Sequence, residues 1–167
     1  PLANPWPNGP VVTSMPTVWP ASGWPGVSEP QIYAMVSDGD LSEGVSHEAA
    51  SLAGHLGLGR MVYVYDDNHI SIDGPTELAL TDDAVKRFEG YGWHVQHVGE
   101  ASEDLDVLTA AIEEGRAVTD RPSLVILPSH IGYGSPNKQD TKAAHRDHLG
   151  EEEIKIGRAH DRTPVTY

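Results

Sequence analysis

Cysteine is absent from all 167 residues. That excludes disulfides, thiolate metal sites and cysteine nucleophiles, and a cytoplasmic location is the expectation that fits it. Positive charge is scarce: 11 Lys and Arg stand against 25 Asp and Glu, for a net charge of −14. So acidic a chain lacks the side chains that hold nucleic acid or an anionic membrane surface, and neither is expected as a partner. A small phosphorylated ligand stays open, because backbone N–H groups or a metal ion bind phosphate inside an acidic protein. No apolar run approaches the roughly 20 residues that span a bilayer. No basic stretch followed by an apolar one opens the sequence, so no signal peptide is expected. Hydrophobic residues make up 38% of the chain, which is low but enough for one globular domain.

The sequence changes character near residue 30. Residues 1–30 hold eight of the 13 prolines and three of the four tryptophans, and Glu29 is their only ionisable side chain. Proline at that density forbids a helix and interrupts a ladder. The segment reads as a disordered or loosely packed arm, or as a stretch translated from a shifted frame. From residue 31 regular patterns begin. Gln31 to Val36 and Met61 to Tyr65 are short apolar runs that read as buried strands, and Ser123 to Leu127 reads likewise. Trp93 to Val98 alternates as a strand does. Ser42 to about Leu56 predicts a helix capped by Ser42, with Val45, Ala49, Leu52, Ala53 and Leu56 on its inward face. Thr81 to Tyr91 predicts another, capped by Thr81. Glu103 to Val118 predicts a third, with Leu105, Leu108 and Ile112 inward. A loop rich in Gly, Ser and Pro follows from about Ser129 to His145, and the charged stretch from Glu151 predicts a helix that frays. Strands alternating with helices imply an α/β fold: a mostly parallel sheet flanked by helices. Ligands of such sheets bind beyond the carboxyl ends of the strands.

Two strand ends carry the chemistry. Ser37-Asp38-Gly39-Asp40 follows the first run, and Asp66-Asp67-Asn68-His69-Ile70 follows the second. Asp-Gly after a strand is by itself an ordinary turn signal, and Asp-Asp-Asn is by itself a solvated loop. Adjacent parallel strands would bring Asp38 and Asn68 to one edge. A carboxylate, an amide oxygen and a backbone carbonyl make an oxygen-only site of the kind magnesium takes. Gly39 would let the backbone approach a phosphate closely.

The stretch SDGDLSEGVSHEAASLAGHLGLGRMVYVYDDNHISIDG resembles the thiamine diphosphate enzymes, whose motif opens with Gly-Asp-Gly and closes downstream with Asn; here it runs from Asp38 to Asn68. DLSEGVSHEAASLAGHL and YDDNHISIDG resemble transketolase in particular. The likeness continues through Thr81-Asp82-Asp83, KRFEGYGWHV, IEEGRAVTDRPSLVIL and IGYGSPNKQDTKAAH, and so covers about residues 31–150.

The resemblance implies a thiamine diphosphate-binding fold and thiamine diphosphate with magnesium as cofactors. By position it makes Asp38 and Asn68 side-chain magnesium ligands and Ile70 the donor of a backbone carbonyl. It makes Gly39 a diphosphate contact. His145 matches a histidine near the diphosphate and the sugar; taken alone, it reads as a surface histidine. Glu43 and Glu48 match acidic residues of a carboxylate network near a subunit interface, and Glu43 is carried over as catalytic. The implied reaction moves a two-carbon ketol unit between sugar phosphates. The implied partners are sugar phosphates and a pyrimidine-binding domain or homodimer mate, without which the chain is expected to be silent. Residues 31–167 are then an incomplete diphosphate- and magnesium-binding domain, and 1–30 an arm foreign to the family. Beside the missing pyrimidine-binding domain, and beside Ser37 in place of the motif's first glycine and Asp140 in place of a small or amide residue, the sequence departs from the family at three further points. No Gly-rich loop precedes the Asp-Gly motif. Pro128 stands where a basic residue is usual. Arg146 follows His145 where glycine is usual. Two other readings stand beside this one. One is a dihydroxyacetone synthase or deoxyxylulose phosphate synthase type of enzyme. The other is a non-catalytic remnant acting as a binding module.

Overall fold

Runs of β-branched and aromatic residues become strands in the computed structural model, which describes residues 30–99, 104–148, 150, 151 and 153–155. The expected arm over 1–29 lies outside the described residues. One unit spans Gln31–Tyr167. In chain order its elements are β1 (Ile32–Ser37), α1 (Asp38–Ser42), α2 (Gly44–His55), β2 (Met61–Asp67), β3 (Ile70–Ser71), β4 (Gly74–Pro75), a 3-10 turn (Thr76–Leu78), α3 (Ala84–Gly90), β5 (His94–His97), α4 (Leu105–Ala117), β6 (Ser123–Pro128) and α5 (Lys142–Arg146).

The four longer strands make one parallel sheet in the order β1-β2-β6-β5, and β3 pairs with β4 in a small hairpin. This is the α/β architecture that the alternating pattern implies. Strand residues alternate between two faces. Met61, Tyr65, Leu124 and Ile126 face a core shared with Leu41, Ala50, Ala53, Phe88 and Trp93. On the other face α4 lies close, since a Cβ on Gly115 would meet Ser123 at 3.1 Å and Val62 at 3.4 Å. Trp93 ties the first layer together: its ring stands edge-on to Tyr63 and Phe88, and its Nε1 donates to the Ala50 carbonyl at 2.8 Å.

Several boundaries differ from the sequence expectation. The single helix expected from Ser42 is two: α1 starts at Asp38, and α2 starts at Gly44 behind Glu43. Ser42 does not cap; its hydroxyl donates back to the Asp38 carbonyl. Asp40 closes the first turn instead, accepting from both the Ser37 backbone N–H and the Ser37 hydroxyl. The inward face of α2 is also corrected. Ala50 and Ala53 are buried, whereas Val45, Leu52 and Leu56 are exposed. Small residues let the helix approach the sheet closely, so the alanines turn inward and the larger side chains turn out. The α3 cap is Asp83, which accepts from Lys86 N–H, rather than Thr81. In α4, Leu105 is exposed and Asp104 caps. The loop after β6 contains α5, which the Gly and Ser content hid.

Candidate functional site

Register decides what meets at the sheet edge. Ser37 pairs with Asp66, and Asp67 with Pro128, so β1, β2 and β6 end side by side. Asp38, Asp66, Asp67, Asn68 and Ser129 follow or close those ends.

Asp38 starts α1 and is only 4% exposed. Its Oδ1 accepts from the Tyr65 hydroxyl at 2.5 Å. Its Oδ2 is buried and has no hydrogen-bond partner among the described residues. Burial pushes the carboxyl above its ordinary value, an effect the Tyr65 hydrogen bond partly offsets and the nearby Asp67 adds to. The Tyr65 phenol is itself pushed up, by burial and then by the two carboxylates it faces. Its oxygen also lies 3.1 Å from Asp67 Oδ1.

The turn after β2 is built around Asn68. Asn68 Nδ2 donates to Asp66 Oδ2 at 3.2 Å, and its Oδ1 accepts from Ile70 N–H at 3.0 Å. The Ser129 hydroxyl donates to the other oxygen of Asp66. His69 between them has φ 60, a left-handed conformation that costs energy in a residue other than glycine. Its Nδ1 lies 3.3 Å from Asp67 Oδ1. Ile70 sits opposite Pro75 in the β3–β4 hairpin. The Thr76 N–H donates to the His69 carbonyl at 3.0 Å, so Ile70 and Pro75 form a non-hydrogen-bonded pair, and the Ile70 carbonyl points away from the partner strand.

These features answer whether the residues suit a hard cation. A buried carboxylate oxygen without a partner needs a proton or a cation. The Asn68 amide oxygen, with a spare lone pair, and the Ile70 backbone carbonyl lie in the turn after β2. Magnesium takes such oxygen donors and completes its shell with phosphate and water. Among the described residues no three His, Cys, Asp or Glu side chains are grouped to hold a metal. The oxygen set expected from the sequence has one carboxylate and needs no such group.

The other expected residues are placed as follows. Gly39 lies in the first turn of α1, where a Cβ would meet nothing nearer than the Ser37 hydroxyl at 3.8 Å. Glu43 and Glu48 are exposed on the α1–α2 connection and on α2. The Glu43 carbonyl accepts from the backbone and the hydroxyl of Ser46. His145 is exposed on α5, which lies against β3 and so near the Asn68 turn. Arg146 continues the same helix, so the usual glycine's freedom is not called upon here. Sequence reasoning missed Tyr65 and Ser129. A signal existed for Tyr65: it precedes Asp67 by two on one strand, which puts both on one face.

Comparison with known proteins agrees with this geometry. Residues 22–161 match the family model for the transketolase thiamine diphosphate-binding domain. A transketolase of Nostoc sp. is 54% identical over 126 residues, which are 75% of this chain and 19% of that protein. Chloroplastic transketolase-1 of Arabidopsis thaliana is 50% identical over 75% of this chain and 17% of its own. Pichia stipitis transketolase, solved in complex with sedoheptulose-7-phosphate, superposes with a TM-score of 0.73 at 46% identity, over 77% of this chain and 19% of that one. Leishmania mexicana transketolase gives 0.74 at 39%, over 80% and 20%. The chain thus spans about a fifth of the length of the relatives it matches. On the matched family, the shared fold and the strand-end motif, the chain belongs to the transketolase family, in its thiamine diphosphate-binding domain.

Proposed function

We propose that this chain is the diphosphate- and magnesium-binding part of a transketolase, which moves a two-carbon ketol unit between sugar phosphates. The observation that carries the reading is the buried, unpartnered Asp38 Oδ2 beside the Asn68–Ile70 turn. Asp38, Asn68 and the Ile70 carbonyl would hold magnesium, and Gly39 would border the diphosphate. Thiamine diphosphate, when bound, supplies the carbon nucleophile and the electron sink for breaking the bond beside a ketose carbonyl. The His145 imidazole would contact the diphosphate and the sugar and exchange protons with its hydroxyls. Glu43 would join a carboxylate network at a subunit contact.

Ketol transfer is proposed only together with a pyrimidine-binding domain, from a homodimer mate or another segment, because the chain spans about a fifth of its relatives. The division into an arm over 1–30 and an incomplete domain over 31–167 is part of the same proposal, as is a cytoplasmic location. No described helix is long and apolar enough to cross a membrane. The short match also leaves room for a second reading, a module that binds cofactor but does not catalyse.

Calorimetric titration of thiamine diphosphate, with and without magnesium, tests the proposal. Binding that needs magnesium and is lost in Asp38→Ala supports it. Absence of binding in a folded chain overturns the binding role. Ketol transfer on mixing with a pyrimidine-binding domain separates the catalytic reading from the binding module.

A further inference from the structure

We propose that Tyr65 is a positioning residue for the cation site: it holds Asp38 so that one chosen carboxylate oxygen is offered. This rests on the reading of Asp38 as a cation ligand.

The geometry is specific. Tyr65 closes the buried end of β2, with its ring in the core and 7% of the residue exposed. Its hydroxyl lies between carboxylates from two strand ends, Asp38 Oδ1 at 2.5 Å and Asp67 Oδ1 at 3.1 Å. A phenol has one proton. The shorter contact assigns it to Asp38. Asp67 then faces a lone pair, and the His69 ring stands on that same Asp67 oxygen at 3.3 Å. Asp38 Oδ1 is therefore engaged by Tyr65, and Oδ2 is the oxygen without a hydrogen-bond partner among the described residues.

A carboxylate on a short side chain turns easily about its last bond. Anchoring one oxygen removes that freedom before a cation arrives, as outer partners of metal ligands do elsewhere. The anchor leaves Oδ2 as the readier donor, and coordination through one oxygen suits an ion with octahedral demands. Merely quieting a buried hydroxyl would need one acceptor anywhere along the strand. Placement between two carboxylates at the ligand's own atom goes beyond that. The neighbouring Tyr63 is the contrast. It lies on the same strand and face, packs its ring on Trp93, and its hydroxyl meets no carboxylate among the described residues.

The test uses the full chain. Manganese binding is followed by the electron paramagnetic resonance of the free ion, and magnesium is added as competitor. Wild type, Tyr65→Phe, Tyr63→Phe and Asp38→Asn are compared. Tyr65→Phe is expected to weaken both cations by about ten-fold, the lower end of such outer-shell effects. Tyr63→Phe should match wild type, and Asp38→Asn should not bind. Tyr65→Phe binding as tightly as wild type, with Asp38→Asn silent, overturns the inference and leaves the site standing. A wild type that binds no cation, or binds regardless of Asp38, overturns both. One measurement needs no variant: the Tyr65 ring carbon bearing oxygen should shift in the NMR spectrum along the magnesium binding curve, while that of Tyr63 stays still. A Tyr65 resonance that ignores magnesium counts against the role.

Discussion

Ser37 lies opposite Asp66 in the parallel register of β1 and β2. That single pairing puts the residue that follows β1, Asp38, beside Asp67, and lets one tyrosine hydroxyl reach both. A slip of one residue would turn Tyr65 to the opposite face and dissolve the arrangement.

Asp38 holds a cost that its substitution should reveal. Its carboxyl is pushed up from an ordinary 3.8, chiefly by burial. A carboxyl raised by folding binds its proton more tightly in the folded chain. Stability therefore falls as pH rises from 3.8 through the folded value, and the cost is present in full above it. Asp38→Asn leaves an orphaned amide, which costs less than an orphaned charge. The cation-free variant should melt higher than wild type at neutral pH, with the gain vanishing in acid. Scanning calorimetry across pH checks this.

Gly54 is a packing prediction. A Cβ there would lie 1.8 Å from the Tyr91 carbonyl oxygen, which is backbone and yields little. Gly54→Ala should destabilise the domain by about 1–3 kcal/mol despite the better helix former. Urea unfolding would measure it, and an unchanged midpoint would refute so close an approach of α2 to the end of α3.

Glu153 fastens the loop that leads to α5. It accepts from the Ser135 hydroxyl at 2.6 Å and from Asn137 N–H and Nδ2 at 3.1 and 2.8 Å. Those bonds, Ser135 first, hold its carboxyl below the ordinary 4.5. A carboxyl lowered by folding stabilises above its ordinary value and stops doing so as pH falls through the folded one. The protection of the amides of residues 135–141, taken relative to their intrinsic exchange rate, should therefore fall in acid. Glu153→Gln should lower that protection at neutral pH and flatten its pH dependence.

Val45 and Leu52 on α2 and Leu56 at its C-terminal cap are 70%, 46% and 56% exposed, an apolar strip that water does not favour. The chain alone should self-associate as concentration rises. Leu52→Glu with Leu56→Lys should keep it monomeric in light scattering, at a stability change within about 0.5 kcal/mol for each exposed site. Equal masses for both proteins would contradict this.

Most of the architecture was legible because periodicity and turn residues are local. The strands over Met61–Asp67 and Ser123–Pro128 contain the apolar runs that announced them. Helix starts were less so. Ser42 and Thr81 have the chemistry of caps, yet Glu43 and Asp83 hold the positions, because packing against the sheet fixes where each helix begins.

The sequence by itself determined the family, through the spacing from Asp38 to Asn68, and the order of strands and helices around that motif. Those properties depend on neighbours along the chain. Tertiary structure alone decided which Asp38 oxygen has no hydrogen-bond partner among the described residues, that Tyr65 fixes the other, and that the alanines rather than the leucines of α2 turn inward. Each depends on strand register and on the distance between layers, which are set by residues far apart in the chain.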